Sequence, residues 1–445
     1  MRRLPTAAAV IGLGLSMALA AGTRQTPANP PAGRAAEASF RLDNGLRVIC
    51  RHDPSSEVTV LLIGISGGLA AEPADKPGLA FLASRLALDI PDQSKAQDFV
   101  AKALHVGLDV RGDGALIRLE CLSEFFDGIA ASYARILADP LFTGVRIDGI
   151  KEYMSHQRRI ETDDAGGVAR LAQAEAFFPG AGYGRSIFGT EAGLAAIKPG
   201  DIKEFYGRLF VAGNMTLTVL SDLGQDSLTA TLRKSFGRIK GGTAWTPPAI
   251  AAAVPVERRR EIRKEALQVN VSAAFPLPAA SRRTYVLNAL LENALGRGPG
   301  TRLWGLRAER KLAYNVTAAA VQMRQAGVLG AYLETEAAKK EEARQALAEV
   351  LTGTWRSGLS AEELDVAKAG LKTSFLRSNE TKLARAETLD LFESLGLEAD
   401  FFEGFAAEVD AVTLDGMNAH IRAVMDPAQA HWVFVGPASV PGPRP

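Results

Sequence analysis

The chain uses one structural plan twice, and this repeat limits its possible folds more than any other feature of the sequence. Apolar runs predict a strand at 58–65 (VTVLLIGI) and another at 215–220 (MTLTVL), which closes the first half. Similar runs at 269–275 and 431–436 hold the equivalent places about 210 to 216 residues later. Each copy is long enough to bury its own core, so the repeat predicts a duplicated protein.

Other predicted elements fill out this plan in both halves. Asp43-Asn44-Gly45 is a strong turn signal, and it precedes a strand at 46–51. Ser360 and Glu363 form a capping box, which predicts the start of a helix. The remaining predictions are a buried helix at 78–88, a strand at 115–122 with a helix after it through Ile136, a helix at 285–295, a hairpin of strands at 314–322 and 328–334, and a helix at 342–351.

The first residues predict export. Arg2 and Arg3 precede an apolar run that ends near Ala18-Leu19-Ala20, which is the pattern of a cleaved secretory signal. The alternative is a short membrane anchor, but the run is poor in Leu and Ile. We therefore expect a signal peptide at 1–21, a disordered lead-in at 22–38, a periplasmic location and no membrane span in the mature chain.

Composition divides the rest of the chain and excludes one class of partner. The 445 residues carry a net charge of +1 without a basic tract, so nucleic-acid binding is not expected. A Pro- and Gly-rich stretch at 241–257 predicts a linker between an N-terminal domain at 39–240 and a C-terminal domain at 258–440. A charged run, 257–264, overlaps the end of the linker.

Two cysteines, Cys50 and Cys121, fall in predicted strands of the first half. Export permits a disulfide between them, and two separate buried thiols are the other interpretation. The histidines show no ligand spacing to one another, so the sequence predicts no zinc cluster of cysteines and histidines. The five histidines are His52, His105, His156, His420 and His431.

A series of short motifs, in order from about residue 40 to 437, resembles the pitrilysin or insulinase family of zinc metallopeptidases, which includes the mitochondrial processing peptidase. The first-half motifs are LDNGLRV at 42–48, Gly67-Gly68, PGLA at 77–80, Tyr183-Gly184-Arg185, Gly189-Thr190-Glu191, Ala196-Ile197, Phe205-Tyr206 and Asn214-Met215. The second-half motifs are Thr301-Arg302-Leu303 and LRAERKLAY at 306–314. The resemblance implies an α+β fold of two homologous domains, each a mainly antiparallel sheet covered by helices.

The resemblance also implies a helix with the pattern H-x-x-E-H, in which two histidines bind zinc and the glutamate activates the metal-bound water. Phe81 and Arg85 hold the two histidine positions in this chain, and Ser84 holds that of the glutamate. A third ligand, a downstream glutamate, falls near Gln157, with His156 beside it. Phe offers no lone pair and Arg is permanently cationic, so these degenerate positions are not ligands and no zinc is expected in this chain.

Arg307 and Tyr314 match an arginine and a tyrosine that the family uses in its C-terminal half. The resemblance implies that they hold the peptide substrate and polarise its scissile carbonyl, so we predict them as catalytic residues. The alternative is an ordinary surface arginine and a packed tyrosine. The neighbouring glycines in LGRGPGTRLW, 295–304, lack the Lys-Ser/Thr ending of a phosphate loop and predict a turn between two helices.

A lost zinc motif beside a retained Arg–Tyr pair suggests complementation by a second chain. The first hypothesis is a non-metal-binding subunit of a heterodimeric zinc peptidase, inactive alone, in a heterodimer or a dimer of heterodimers. Its homologous partner supplies H-x-x-E-H and the zinc, and the substrate is a peptide or an unfolded polypeptide. The second hypothesis is a catalytically inactive peptide-binding or scaffold protein of the same fold. A zinc-free hydrolase has little support, because no G-x-S-x-G elbow occurs in the sequence.

Overall fold

The computed structural model describes residues 37–90, 92–296 and 298–437. The signal peptide predicted at 1–21 and the lead-in up to residue 36 lie outside these ranges. The first strand, β1 (Glu37–Arg41), starts two residues before the predicted domain start at 39, and it pairs antiparallel with the next strand.

The first half contains a six-stranded sheet covered by helices. Its further strands are β2 (Arg47–His52), β3 (Val58–Ser66), β4 (His105–Val110), β5 (Gly114–Leu122) and β6 (Met215–Ser221). Its helices are α1 (Leu79–Leu88), α2 (Gln93–Ala101), α3 (Phe126–Ala138), α4 (Gly144–Asp163), α5 (Ala165–Phe177), α6 (Glu191–Ala196), α7 (Pro199–Leu209) and α8 (Gln225–Phe236).

The second half contains a five-stranded sheet with its own helices. Its strands are β7 (Arg259–Arg263), β8 (Val269–Leu277), β9 (Val316–Gln322), β10 (Gly327–Thr335) and β11 (His431–Gly436). Its helices are α9 (Arg282–Leu295), α10 (Trp304–Ala308), α11 (Lys340–Ser357), α12 (Ala361–Ser378), α13 (Lys382–Leu395), α14 (Phe401–Asp410) and α15 (Leu414–Val424).

The order of the strands confirms the duplication. The first sheet runs β1-β2-β6-β3-β5-β4, and the second runs β7-β11-β8-β10-β9. Without β1 the two orders are equivalent. In each sheet the last strand of the half pairs parallel with the first and antiparallel with the second, as β6 does with β2 and β3, and β11 with β7 and β8. The predicted α+β fold of two homologous, mainly antiparallel halves is therefore confirmed.

Each half places a helix on the sheet of the other half. Along β3, Leu61 and Ile63 face the helices of their own half, whereas Val60 and Leu62 pack with Leu389 of α13. This explains why β3 is apolar on both faces, since neither face meets water. In the reverse direction the small residues of α5, including Ala169 and Ala172, pack on Val433 and Val435 of β11.

The contact made by α13 also carries charges. The buried Lys382 amine donates hydrogen bonds to the carbonyl oxygens of Ser56 and Val58, at 2.6 and 2.9 Å. Burial lowers the pKa of Lys382. Ion pairs along the helix include Arg385 with Asp53, Glu387 with Arg118 and Glu393 with Arg47. The two halves are thus joined by apolar and ionic contacts at the same interface.

The structure adds one strand to the sequence interpretation and corrects the start of another. The charged run 257–264 contains strand β7, in which Arg and Glu alternate with half-buried residues at the sheet edge. Tyr314, predicted to begin a strand, lies two residues before β9. Polar edge strands such as β7 are hard to recognise because their strand conformation depends on the neighbour with which they pair.

The cysteines are both free and buried. Cys50 lies in β2 and Cys121 in β5, and two strands separate them in the sheet, so their Cα atoms are roughly 14 Å apart, well beyond disulfide reach. Burial raises the pKa of Cys50 to about 11 and that of Cys121 to about 12.

We expect Ellman's reagent to leave both thiols unmodified in the native protein at pH 8 and to titrate both in denaturant, because the folded chain excludes water and keeps the thiols protonated. Mass spectrometry of the intact, unreduced protein checks the same point. A mass two hydrogens below that of the dithiol would contradict it.

Candidate functional site

Helix α1 carries the positions that correspond to the zinc motif. Its first turn is held by Glu72, whose buried carboxyl accepts hydrogen bonds from the backbone N–H groups of Gly78 and Ala80, at 3.0 and 2.8 Å. Burial raises the pKa of Glu72 to about 8. Gly78 adopts a left-handed conformation, with φ of 97°, so that the chain can turn into the helix.

The later first-half motifs pack against this turn. A Cβ atom at Gly189 would lie only 2.3 Å from the carbonyl oxygen of Pro77, so the two backbones touch there. Thr190 caps α6 by accepting a hydrogen bond from the N–H of Gly193 at 3.0 Å. The motif residues around 189 therefore position α1 whether or not a metal is bound.

Aromatic packing occupies the first degenerate position. Phe81 is 7% exposed, and its ring packs edge-on against Phe188 at 5.2 Å and stacks on Tyr153 at 6.2 Å between centroids. Ser84 is 2% exposed. Arg85 forms an ion pair with Asp89 one turn later in the chain. These side chains make α1 a packing helix with an ionic C-terminal turn.

Helix α4 supplies the side chains opposite α1. Tyr153 of α4 stacks on Phe81. Gln157, the predicted position of the third ligand, lies one turn later on the same helix and is half-buried. Sequence reasoning also missed Glu161, which accepts hydrogen bonds from Ser186 at 2.6 Å and from Arg158 at 2.9 Å. Only the packing between helices identifies these neighbours, because spacing along the chain does not fix the register of α4 against α1.

These residues do not fit a zinc ion. In the described part of the chain, no group of three or more His, Cys, Asp or Glu side chains could hold a metal. Phe81 replaces a nitrogen ligand with a hydrocarbon ring, and Arg85 brings a permanent positive charge to the second ligand position. The positions on α1 that correspond to the zinc motif therefore offer neither a metal ligand nor a carboxylate base.

The second candidate group lies on α10. The turn predicted at 295–304 joins α9 to α10, and Gly298 and Gly300 there have φ of 137° and 87°. Leu303 and Leu306, three residues apart, are buried in the core of the second half. Trp304 and Arg307, also three residues apart, share another face of the helix and are half-buried.

The chain reverses direction immediately after α10. The N–H of Leu312 donates to the carbonyl oxygen of Leu306 at 3.0 Å and closes the turn that follows the helix. Lys311 occupies the left-handed position of that turn, with φ of 50°. Leu312 and Ala313 are buried, so the turn returns Tyr314 to the side of α10 that carries Arg307.

The structure brings the two predicted residues together. The Arg307 guanidinium carbon lies 4.8 Å from the Tyr314 ring centroid and 4.9 Å from that of Trp304. Tyr314 is 78% exposed. No carboxylate among the described residues forms an ion pair with Arg307, and ring faces leave its N–H donors free for oxygen atoms. The arrangement can therefore present a guanidinium and a phenol to an external acceptor.

A glycine at position 311 should stabilise the protein. We expect Lys311→Gly to raise the free energy of unfolding by about 0.5 kcal/mol, because Gly removes the cost of a left-handed L-residue but adds freedom to the unfolded chain. Urea unfolding measures this, with Lys311→Ala as the control that keeps the Cβ atom. The explanation fails if Lys311→Gly is less stable than Lys311→Ala.

Comparisons with known proteins agree with this description. Residues 196–371 match a protein-family model described as the Peptidase M16 inactive domain. The fold is similar to that of a peptidase M16 inactive domain from Pseudomonas fluorescens, with a TM-score of 0.84 over 92% of this chain and 100% of that chain, at 20% sequence identity. The chain therefore resembles M16 proteins in its fold and in the sequence of residues 196–371, and it lacks the zinc motif. The family resemblance predicted from the motifs is confirmed.

Two relatives match the chain over most of their lengths. It is 23% identical over 330 residues to the non-peptidase homolog YmxG of Helicobacter pylori, covering 74% of this chain and 76% of the relative. It is 20% identical over 370 residues to the probable mitochondrial-processing peptidase subunit beta of Schizosaccharomyces pombe, covering 78% and 80%. Within the described ranges, no helix has the length and apolar character needed to cross a membrane.

Proposed function

We propose that this chain is the non-metal-binding subunit of a heterodimeric zinc peptidase. The observation that carries the proposal is the solvent-facing pair of Arg307 and Tyr314, on a chain whose own zinc positions are filled by Phe81 and Arg85. Its homologous partner carries H-x-x-E-H and the zinc. The pair faces the partner's site, where a peptide or an unfolded polypeptide is held.

The chemistry of the pair suits a peptide carbonyl. The Tyr314 hydroxyl and the Arg307 guanidinium are hydrogen-bond donors, and the guanidinium keeps its charge at any physiological pH. A carbonyl oxygen gains negative charge as the amide bond is attacked, so donors placed around it stabilise the transition state more than the ground state. In this role the chain binds and polarises the substrate, and the partner supplies the metal.

The comparisons support the proposal at the level of the family. The S. pombe relative is named a subunit, which is consistent with an assembly of M16-like chains. The signal-like pattern of residues 1–21 supports a periplasmic location for the proposed assembly. The assembly that we propose is a heterodimer or a dimer of heterodimers.

A catalytically inactive peptide-binding or scaffold protein is the second candidate function. It is favoured by the H. pylori relative, which is named a non-peptidase homolog, and by the packed aromatic cluster around Phe81. In that case Arg307 and Tyr314 contribute to a binding surface or to packing, and no partner's zinc is involved.

Co-purification separates the two candidates. This chain is tagged and co-expressed with a homologous H-x-x-E-H chain, and the eluate is assayed for subunit ratio, zinc and peptide hydrolysis. We expect a one-to-one complex that contains zinc and cleaves peptide, with neither property in this chain alone. Elution of this chain folded and alone, without the partner, would support the scaffold function instead.

A further inference from the structure

Trp304 is the second aromatic residue against which Arg307 lies, and sequence reasoning assigned it no role. We propose that Trp304 is a positioning residue that holds the Arg307 guanidinium at the face where Tyr314 is exposed. The inference rests on the proposed function of Arg307, and Trp304 itself need not touch the substrate.

The geometry makes Trp304 the fixed side of the contact. Trp304 and Arg307 belong to the same helix at a spacing of three residues, and the guanidinium carbon lies 4.9 Å from the Trp304 ring centroid. Leu306, which lies between Trp304 and Arg307 in the sequence, is 1% exposed. Leu303, the residue before Trp304, is 0% exposed. Two buried leucines therefore set the rotation of α10 and the direction of its Trp–Arg face.

Tyr314 is a weaker support for the same guanidinium. It reaches Arg307 from a separate segment, it follows the left-handed turn at Lys311, and 78% of its surface is exposed. A long arginine side chain has many rotamers, and a free guanidinium would sample them in water. An indole face attracts the cation more strongly than other aromatic rings do, so Trp304 limits this motion before substrate binds.

The free chain provides a test that needs neither partner nor zinc. We expect Arg307→Met to change the tryptophan emission of the otherwise wild-type protein. In a protein that already carries Trp304→Phe, the same substitution should leave the emission unchanged, because Trp304 is the tryptophan that contacts the Arg307 guanidinium. Arg344→Met is the matched control, since Arg344 lies 5.9 Å from the Trp432 ring and its effect should persist in both backgrounds. An effect of Arg307→Met that persists without Trp304 would overturn the proposal.

The heterodimer provides the functional test. We expect Trp304→Leu to lower kcat/KM at least fivefold, Trp304→Phe to retain activity within twofold, and Trp304→Leu to have no further effect once Arg307 is Met. General destabilisation would not be relieved by Phe at position 304, and its effect would add to that of Arg307→Met. Activity of Trp304→Phe and non-additivity of Trp304→Leu with Arg307→Met therefore indicate positioning. Full activity of Trp304→Leu in a complex that requires Arg307 would overturn the inference.

Failure of the proposed function gives a different result. If Arg307→Met does not change the activity of the complex, then Arg307 has no role in hydrolysis and the proposed function of the pair is wrong. The emission measurement still decides whether Trp304 fixes the guanidinium, because it uses the isolated chain.

Discussion

Arg307→Met in this chain is expected to lower kcat/KM of the heterodimer roughly 100-fold, the loss typical of removing one charge-stabilising donor from a transition state. Tyr314→Phe is expected to lower it roughly tenfold, because the ring that contacts Arg307 remains and only the hydroxyl is lost. Zinc content should not change in either variant, since the metal belongs to the partner. Steady-state kinetics on a peptide substrate and metal analysis measure these effects.

Arg310→Met is the matched control for this prediction. Arg310 lies on the same segment, but its guanidinium forms an ion pair with Glu349 at 2.8 Å. Its removal should leave kcat/KM within twofold of the wild type. Equal losses in Arg310→Met and Arg307→Met would indicate a general effect of positive charge, and unchanged turnover in both Arg307→Met and Tyr314→Phe would remove the role proposed for the pair.

The second large effect concerns Asp390, which lies where α13 crosses the first sheet. A Cβ atom at Gly64 would be 2.6 Å from an Asp390 carboxyl oxygen, so this glycine lets the carboxyl approach β3. The nearest cation is Arg111, at 3.9 Å. Burial raises the pKa of Asp390 to about 7. Arg111 opposes this shift, whereas the negative charges of Asp109, Glu393 and Glu387 add to it.

We expect Asp390→Asn to raise the free energy of unfolding at pH 8 by roughly 2 kcal/mol. This is about half of the free energy that corresponds to the full pKa shift, because the amide also weakens the contact with Arg111. In the wild type the folded state keeps a proton on Asp390 between pH 4 and pH 7 that the unfolded state has lost. The proton on Asp390 therefore stabilises the folded state at low pH, and this stabilisation is lost as the pH rises from 4 to 7. Urea unfolding at pH 4, 5, 7 and 8 measures the difference between the two proteins.

Asp365→Asn provides the control, because Asp365 is exposed on α12. Its stability should follow that of the wild type at every pH. A difference between Asp390→Asn and the wild type that stays constant from pH 4 to pH 8 would contradict the assignment, since a proton on Asp390 must make the two proteins diverge as pH rises.

Strong local patterns predicted much of the fold. The apolar run at 58–65 is β3, and the run at 431–436 is β11, because each strand is buried on both faces and most of its residues are therefore apolar. The capping box of Ser360 and Glu363 does start α12. Edge strands β4 and β7 were not recognised, because neither has a continuous apolar run and the conformation of each is set by pairing with β5 or β11.

The candidate site was predictable only in part. The family motifs singled out both Arg307 and Tyr314, but the turn between them holds Lys311 in a left-handed conformation, which the sequence does not signal because Gly usually adopts it. The contact of Trp304 with Arg307 depends on the rotation of α10, which Leu303 and Leu306 fix through the core. Tertiary packing also brings Tyr153 onto Phe81.

Photo-crosslinking from position 314 tests the central claim most directly. A benzophenone amino acid replaces Tyr314 in a heterodimer whose partner carries Gln in place of the glutamate of H-x-x-E-H, so that bound peptide is not cleaved. We predict crosslinks from position 314 to the peptide in the complex and none in the isolated chain. Two results would contradict a shared active site. One is equal crosslinking of the peptide by the isolated chain. The other is crosslinking in the complex that persists when an inhibitor that binds the partner's zinc is added.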